Sequence, residues 1–228
     1  MTSCPLPPND RERVRAPWRR LVTRRVDALD EVRPVRPFGS RRALLVSGIG
    51  LVIAVFSSTA AAESPSAPAS VQAQIMTRIL PFERGFAARS GNSVTVLIAE
   101  RSKDADSASA APQIEKALED IGSIGGKPLR VQTVTFASAA NLAAESKKRG
   151  ALVVYVTPGL AGEVSSIAAA FAESGVLTVG AVEAYVPRGL VLGVEIADGK
   201  PHMSINLGQA RRQKLDFPSA VLKLARIY

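Results

Sequence analysis

The sequence is poor in the side chains that most often carry chemistry. Among 228 residues there is one cysteine, Cys4, and one histidine, His202. Cys4 precedes the apolar run described below, so the chain after that run can form no internal disulfide and no thiolate metal site. Exported domains often lean on disulfides. This one must be held by its core, and about 160 residues are enough for that. A lone histidine cannot build a histidine metal site. A Ser-His-Asp triad would have to use it, yet there is no G-x-S-x-G elbow. His202 therefore reads as structural or exposed.

Other decoys dissolve in the same way. The segment Gly122 to Pro128 (GSIGGKP) has phosphate-loop flavour, but its glycine spacing is one short. Pro128 stands where a magnesium-holding Ser or Thr belongs, and the loop leads into a strand rather than a helix. The acidic pairs Glu119-Asp120 and Asp104 with Asp106 fall on a helix surface and in a loop, where solvated charge is the default. The reading is a non-enzyme with no catalytic residue, no metal and no cofactor.

Charge is unevenly placed. The net charge is +9, but residues 1–62 hold eleven Arg, no Lys and five acids, which is +6. The remaining residues carry only +3, so nucleic acid is not an expected partner. Long apolar runs are also scarce. The longest, Ala43 to Phe56 (ALLVSGIGLVIAVF), is fourteen residues. A span needs ~20, so the run fits a signal h-region.

Arg41 and Arg42 precede that run, and Ala60-Ala61-Ala62 follow it. Export through a signal peptide over 41–62, with cleavage after Ala62 or else Ala61, is the expectation, and the periplasm is the expected compartment. An uncleaved anchor is the alternative. Ser40-Arg41-Arg42-Ala43-Leu44-Leu45 partly matches a twin-arginine signal, and the general secretory route stays open. Residues 1–40 are rich in Arg and Pro without amphipathic period. They are expected to be disordered, or to precede a later true translation start.

Residues 63–70 read as a linker. A helix is expected from about Val71, with Val71, Ile75, Ile79 and Phe82 as its apolar face and Pro81 interrupting it. Strands are expected at Ser93–Glu100, Leu129–Phe136, Ala151–Val156, Val176–Val179, Leu190–Ile196 and His202–Leu207. Residues 101–111 read as a loop, with Pro112 in the first turn of a helix that buries Ile114, Leu118 and Ile121. Ser138–Arg149 is a helix closed by Gly150. Leu160, Val164, Ile167 and Phe171 stripe the next, which ends at Gly175. A last helix, capped by Asp216 or Ser219, turns Val221, Leu224 and Tyr228 one way. Alternating strands and helices give an α/β domain over 71–228. It has a mostly parallel central sheet, helices on both faces, and an antiparallel hairpin near the C-terminus, turned at Ala197-Asp198-Gly199-Lys200. Such a domain without chemistry points to binding: a small ligand at the strand ends, or a membrane receptor.

The C-terminal third is more specific. Val176-Leu177-Thr178-Val179 is followed by Arg188-Gly189-Leu190-Val191-Leu192, then Ile205-Asn206-Leu207 with Ala210, then Val221-Leu222-Lys223-Leu224-Ala225-Arg226. This series resembles the YfiR family of exported bacterial proteins, also called YfiR/HmsC-like, across about residues 71–228. The resemblance implies a periplasmic regulator that restrains a membrane-bound diguanylate cyclase, or by extension a sensor kinase, at the inner membrane. It would thereby influence cyclic-di-GMP and biofilm formation; a homodimer is also allowed. The chain departs from that pattern in two places. The family's cysteines are missing after the apolar run, so a thiol switch is not expected, and the only tryptophan, Trp18, lies before it. Leu177, Thr178, Gly189, Asn206, Leu222 and Ala225 carry the motif and are expected to be structural. Gly189 would permit a turn, Asn206 would satisfy backbone groups at a strand end, and Leu177, Leu222 and Ala225 would pack in the core. The alternative is a periplasmic small-ligand-binding protein serving a transporter or receptor.

Overall fold

The computed structural model describes residues 63–228. Cys4, Trp18, the Arg/Pro-rich stretch and the export-signal positions Arg41, Arg42, Ala60 and Ala62 lie outside the described residues. No helix among the described residues is long and apolar enough to cross a membrane.

One eight-stranded sheet organises the chain. Its strands are β1 (Val94–Glu100), β2 (Ser123–Ile124), β3 (Lys127–Thr135), β4 (Ala151–Val156), β5 (Leu177–Gly180), β6 (Leu192–Ala197), β7 (Lys200–Ile205) and β8 (Ala225–Ile227). They lie in the order β2-β3-β1-β4-β5-β6-β7-β8. The five strands from β3 to β6 are parallel neighbours. β2 joins β3 and β6 joins β7 as antiparallel hairpins, and β8 adds in parallel to β7. The expected mostly parallel α/β sheet is therefore what forms. So is the C-terminal hairpin, whose turn places Asp198 (φ 52°) and Gly199 (φ 69°) in the left-handed region that a two-residue hairpin turn requires.

Burial on both faces explains why β1 (VTVLIAE) is apolar almost without interruption. Val96 and Ile98 face one core. There they meet Ala73, Met76 and Leu80 of the first helical segment and Ile114 and Leu118 of the third. Leu97 and Ala99 point the other way, towards Leu142, Val164, Ile167 and Phe171. The helices are α1 (Ala69–Ile79), α2 (Phe86–Arg89), α3 (Ala105–Ile121), α4 (Ala139–Arg149), α5 (Val164–Ala170), α6 (Leu207–Arg212) and α7 (Ser219–Leu222). Ser138 caps α4 by accepting the Asn141 N–H, and Gly150 closes it at φ 61°. The stripe Leu160, Val164, Ile167 and Phe171 is buried throughout.

Several local expectations are corrected. The buried face of α1 is Gln72, Ala73, Met76 and Thr77 rather than the Val71 stripe, and Phe82 is 63% exposed. The polar stretch 101–111 is largely helix. Asp104 caps α3 by accepting the Ser107 N–H at 2.8 Å, and the helix runs through Pro112. Ala-rich sequence around the proline outweighs the one backbone hydrogen bond it removes. The glycine-rich segment before Lys127 is the turn of the β2–β3 hairpin. Leu207 opens α6 instead of continuing β7, because Asn206 caps that helix. The final helix is four residues long, and the chain then returns as β8. Leu224 (78% exposed) and Tyr228 thus face solvent. Leu222 and Ala225 are only half-buried, packed at the margin of the core rather than in it.

Candidate functional site

In an open parallel sheet, the chain runs outward in both directions from one point, and the carboxyl ends of the strands there leave a crevice. Here the chain leaves β1 for the β2–β3 hairpin on one side, while β4 lies on the other. The crevice between the ends of β1 and β4 is therefore the place where this fold offers a site.

What fills it begins with hydroxyls. Thr157, just beyond β4, donates to the Ala99 carbonyl at 2.7 Å, which commits its proton. Ser107 Oγ lies 2.6 Å from Thr157 Oγ1, so Ser107 is the donor in that pair, and it accepts the Arg101 N–H at 2.7 Å. Both residues are fully buried. Both hydroxyl protons are committed, and the pair clamps α3 to the sheet with no general base beside either oxygen in its hydrogen bonds. Beside it, Gly159 adopts φ 81°, and a Cβ there would stand 2.5 Å from the Asp104 carboxyl carbon. Only glycine fits where the loop passes so close to the α3 cap.

The second layer comes from residues 63–68, which lie across the strand ends as a strap. Ser66 donates its N–H to the Ala181 carbonyl at 3.0 Å, and its carbonyl accepts the Ile196 N–H at 3.0 Å. Its hydroxyl accepts the Glu183 N–H at 2.7 Å. Gln72 of α1 reaches back to donate to Ala67 O (2.8 Å) and Ala181 O (3.2 Å), and its Oε1 accepts the Tyr155 hydroxyl at 2.9 Å. Glu63 Oε2 accepts the Gly159 N–H at 3.0 Å and also the Tyr185 hydroxyl. Tyr185 is oriented by the Leu160 N–H, which it accepts at 3.3 Å. Burial first, and the Glu63 carboxylate second, push the Tyr185 hydroxyl well above the ordinary tyrosine range; burial alone does the same to Tyr155. A cavity of about 440 Å³ borders the strap, lined among others by Pro65, Ala67, Gln113, Tyr155 and Ile196.

The motif residues stand elsewhere. Leu177 is buried in the core. Thr178 is buried, receives the Gln213 amide at 3.1 Å and accepts the Val191 N–H. Gly189 (φ 127°) packs so closely that a Cβ would lie 2.7 Å from that of Ala168. Asn206 accepts the Gln209 N–H at 2.9 Å and donates to the Val186 carbonyl at 2.9 Å. His202 is exposed on β7, opposite Glu195. Among the described residues no three His, Cys, Asp or Glu converge to hold a metal. Asp104 carries a cap rather than free charge, and Glu119 and Asp120 are exposed on α3. Sequence reasoning missed Glu63, Tyr185 and Gln72. It also missed Glu83, whose buried carboxylate takes the Arg89 guanidinium and the N–H groups of Gly85 and Asp216.

Comparison with known proteins adds two findings. The family description YfiR/HmsC-like matches residues 69–226. In fold, the chain is similar to an ABC domain from Streptococcus pneumonia solved in complex with L-Trp, at 15% identity and TM-score 0.52, covering 71% of this chain and 62% of that one. It is similar also to a conserved domain protein from Vibrio cholerae O1 biovar El Tor, at 15% identity and TM-score 0.52, covering 71% of this chain and 60% of that one. This chain thus spans about three fifths of the length of each. No curated protein matches the sequence.

Proposed function

The chain belongs to the YfiR/HmsC-like family, and from that premise we propose that it is a periplasmic, non-catalytic regulator restraining an inner-membrane signalling protein. The most specific form of this reading is a diguanylate cyclase, with a sensor kinase as the other candidate. The observation that carries it is the extent of the family match, which takes in almost all of the described domain. The apolar run before Ala60 supports export, and the Ser107–Thr157 pair at the strand ends is committed to holding α3 on the sheet.

The mechanism needs only linkage. A regulator that binds the inactive receptor conformation more tightly than the active one draws the population towards the inactive state. A coupling of about 1–3 kcal/mol shifts the equilibrium between the two receptor states roughly 5- to 150-fold. Crosslinking in intact envelopes should trap an inner-membrane cyclase or kinase, and deletion of the gene should raise cyclic-di-GMP if the partner is a cyclase. Recovery of neither partner type, with cyclic-di-GMP unchanged, would sink the proposal.

The alternative is a periplasmic small-ligand-binding protein serving a transporter or receptor. It draws on the likeness in fold to a domain solved with L-Trp. Calorimetric titration of the full chain against a metabolite panel separates the two readings, since tight binding without an envelope partner favours the second.

A further inference from the structure

We propose that the crevice beside Gly159 and Tyr185 is a binding site for a small carboxylate, and that the chain closes it with its own Glu63. Two donors converge on one oxygen, the Gly159 N–H and the Tyr185 hydroxyl. The Leu160 N–H holds Tyr185 in place for that task. These donors sit at the carboxyl ends of the strands, where this class of sheet presents its ligands. Arg101 donates to the Gly159 carbonyl at 2.9 Å, and the Asp104 carboxylate beside Gly159 accepts the Ser107 N–H at 2.8 Å. Recognition comes from the aimed donors, whose hydrogen bonds to an ionised acceptor are the stronger kind.

The occupant is built to exchange. Ser66 fixes the strap to Ala181, Glu183 and Ile196, whereas Glu63, Ser64 and Pro65 make no backbone hydrogen bond among the described residues. Among the described residues, the hydrogen bonds of residues 63–65 are those of the Glu63 side chain. It can leave without breaking the contacts of Ser66, and a free carboxylate can take its place. The strap is then a competitor covalently attached to its own site, and its local concentration sets how strongly an outside ligand must bind.

The test uses acetate, the fragment that Glu63→Ala removes. Binding of ¹³C-acetate to the full-length protein is followed by NMR at constant ionic strength, with chloride as the control. Acetate should bind Glu63→Ala saturably and at least about tenfold more tightly than the unmodified protein, where the tethered carboxylate competes. Adding Tyr185→Phe to Glu63→Ala should weaken acetate at least about fivefold, the loss of one hydrogen bond to a charged acceptor. Glu63→Gln keeps the shape of the strap and removes its charge, so it should also bind acetate better than the unmodified protein, and it carries the test if Glu63→Ala does not fold. Equal binding by all forms, or no saturable binding by either Glu63 variant, overturns the proposal. Retention of full acetate affinity in Glu63→Ala/Tyr185→Phe overturns the assignment of the cradle.

Discussion

Replacing Gln72 by leucine isolates the polar cluster that joins α1, the strap and β4. The side chain is 1% exposed and makes three hydrogen bonds. Leucine fills similar volume, so little cavity term arises. The Ala181 carbonyl keeps the Ser66 N–H, but the Ala67 carbonyl and the Tyr155 hydroxyl, both on buried residues, lose their protein partners. Each orphaned group costs about 1–3 kcal/mol, so Gln72→Leu should destabilise by about 2–5 kcal/mol. Tyr155→Phe alone strips one donor from Gln72 and should cost about 1 kcal/mol. In the Gln72→Leu background the same change removes an orphaned hydroxyl and should restore about 1–3 kcal/mol. The sign of Tyr155→Phe therefore reverses between the two backgrounds. Urea unfolding of the four proteins by far-UV circular dichroism measures this cycle, with m fixed by domain size. If Tyr155→Phe destabilises in both backgrounds and the effects add within about 0.5 kcal/mol, the cluster is not the coupled unit described here.

Other perturbations have equally definite outcomes. Gly159→Ala drives a Cβ into the Asp104 carboxylate at φ 81° and should cost about 2 kcal/mol or more in a urea midpoint; Asp104→Ala added to it should be less than additive. Asp104→Ala by itself removes the α3 cap and should cost about 1 kcal/mol, while Asp104→Asn should retain most of the stability, as thermal unfolding would show. Because Tyr155 and Tyr185 are raised in the fold, the unfolded chain loses their protons first. Their contribution to stability should be flat from neutral pH up to the free tyrosine value of about 10 and fall above it. Urea midpoints between neutral and alkaline pH should show that fall, and Tyr155→Phe should make it shallower.

The parallel sheet was legible because its strands carry their burial in their composition. β1 and β4 are apolar on consecutive residues, which only a strand covered on both faces tolerates. The end signals of α4, Ser138 and Gly150, were equally plain. What failed did so for local reasons. Asp104 looked like loop charge because its capping role depends on Ser107 three residues on, and Pro112 looked like a helix start because prolines usually are. The α1 face was misjudged because its core contacts are made by Gln72 and Thr77, whose polarity hides burial that their hydrogen bonds make affordable. β8 read as helix because three residues carry too little period to decide. Glu63 had no local signal at all. It is an ordinary acid in a linker-like stretch, and its partners stand 96 and 122 residues away.

That last separation has a kinetic meaning. Contacts between residues so distant in sequence carry a loop-closure cost that nothing local repays. The strap should therefore settle late, its Ser66 pairing with Ala181 and Ile196 after the central strands have formed. Substitutions in Glu63 or Ser66 should leave the folding rate almost unchanged and appear as faster unfolding or local opening. Amide exchange there should be faster than in β1 by orders of magnitude. A segment that folds last is also the one that can open first while the rest of the domain stays intact.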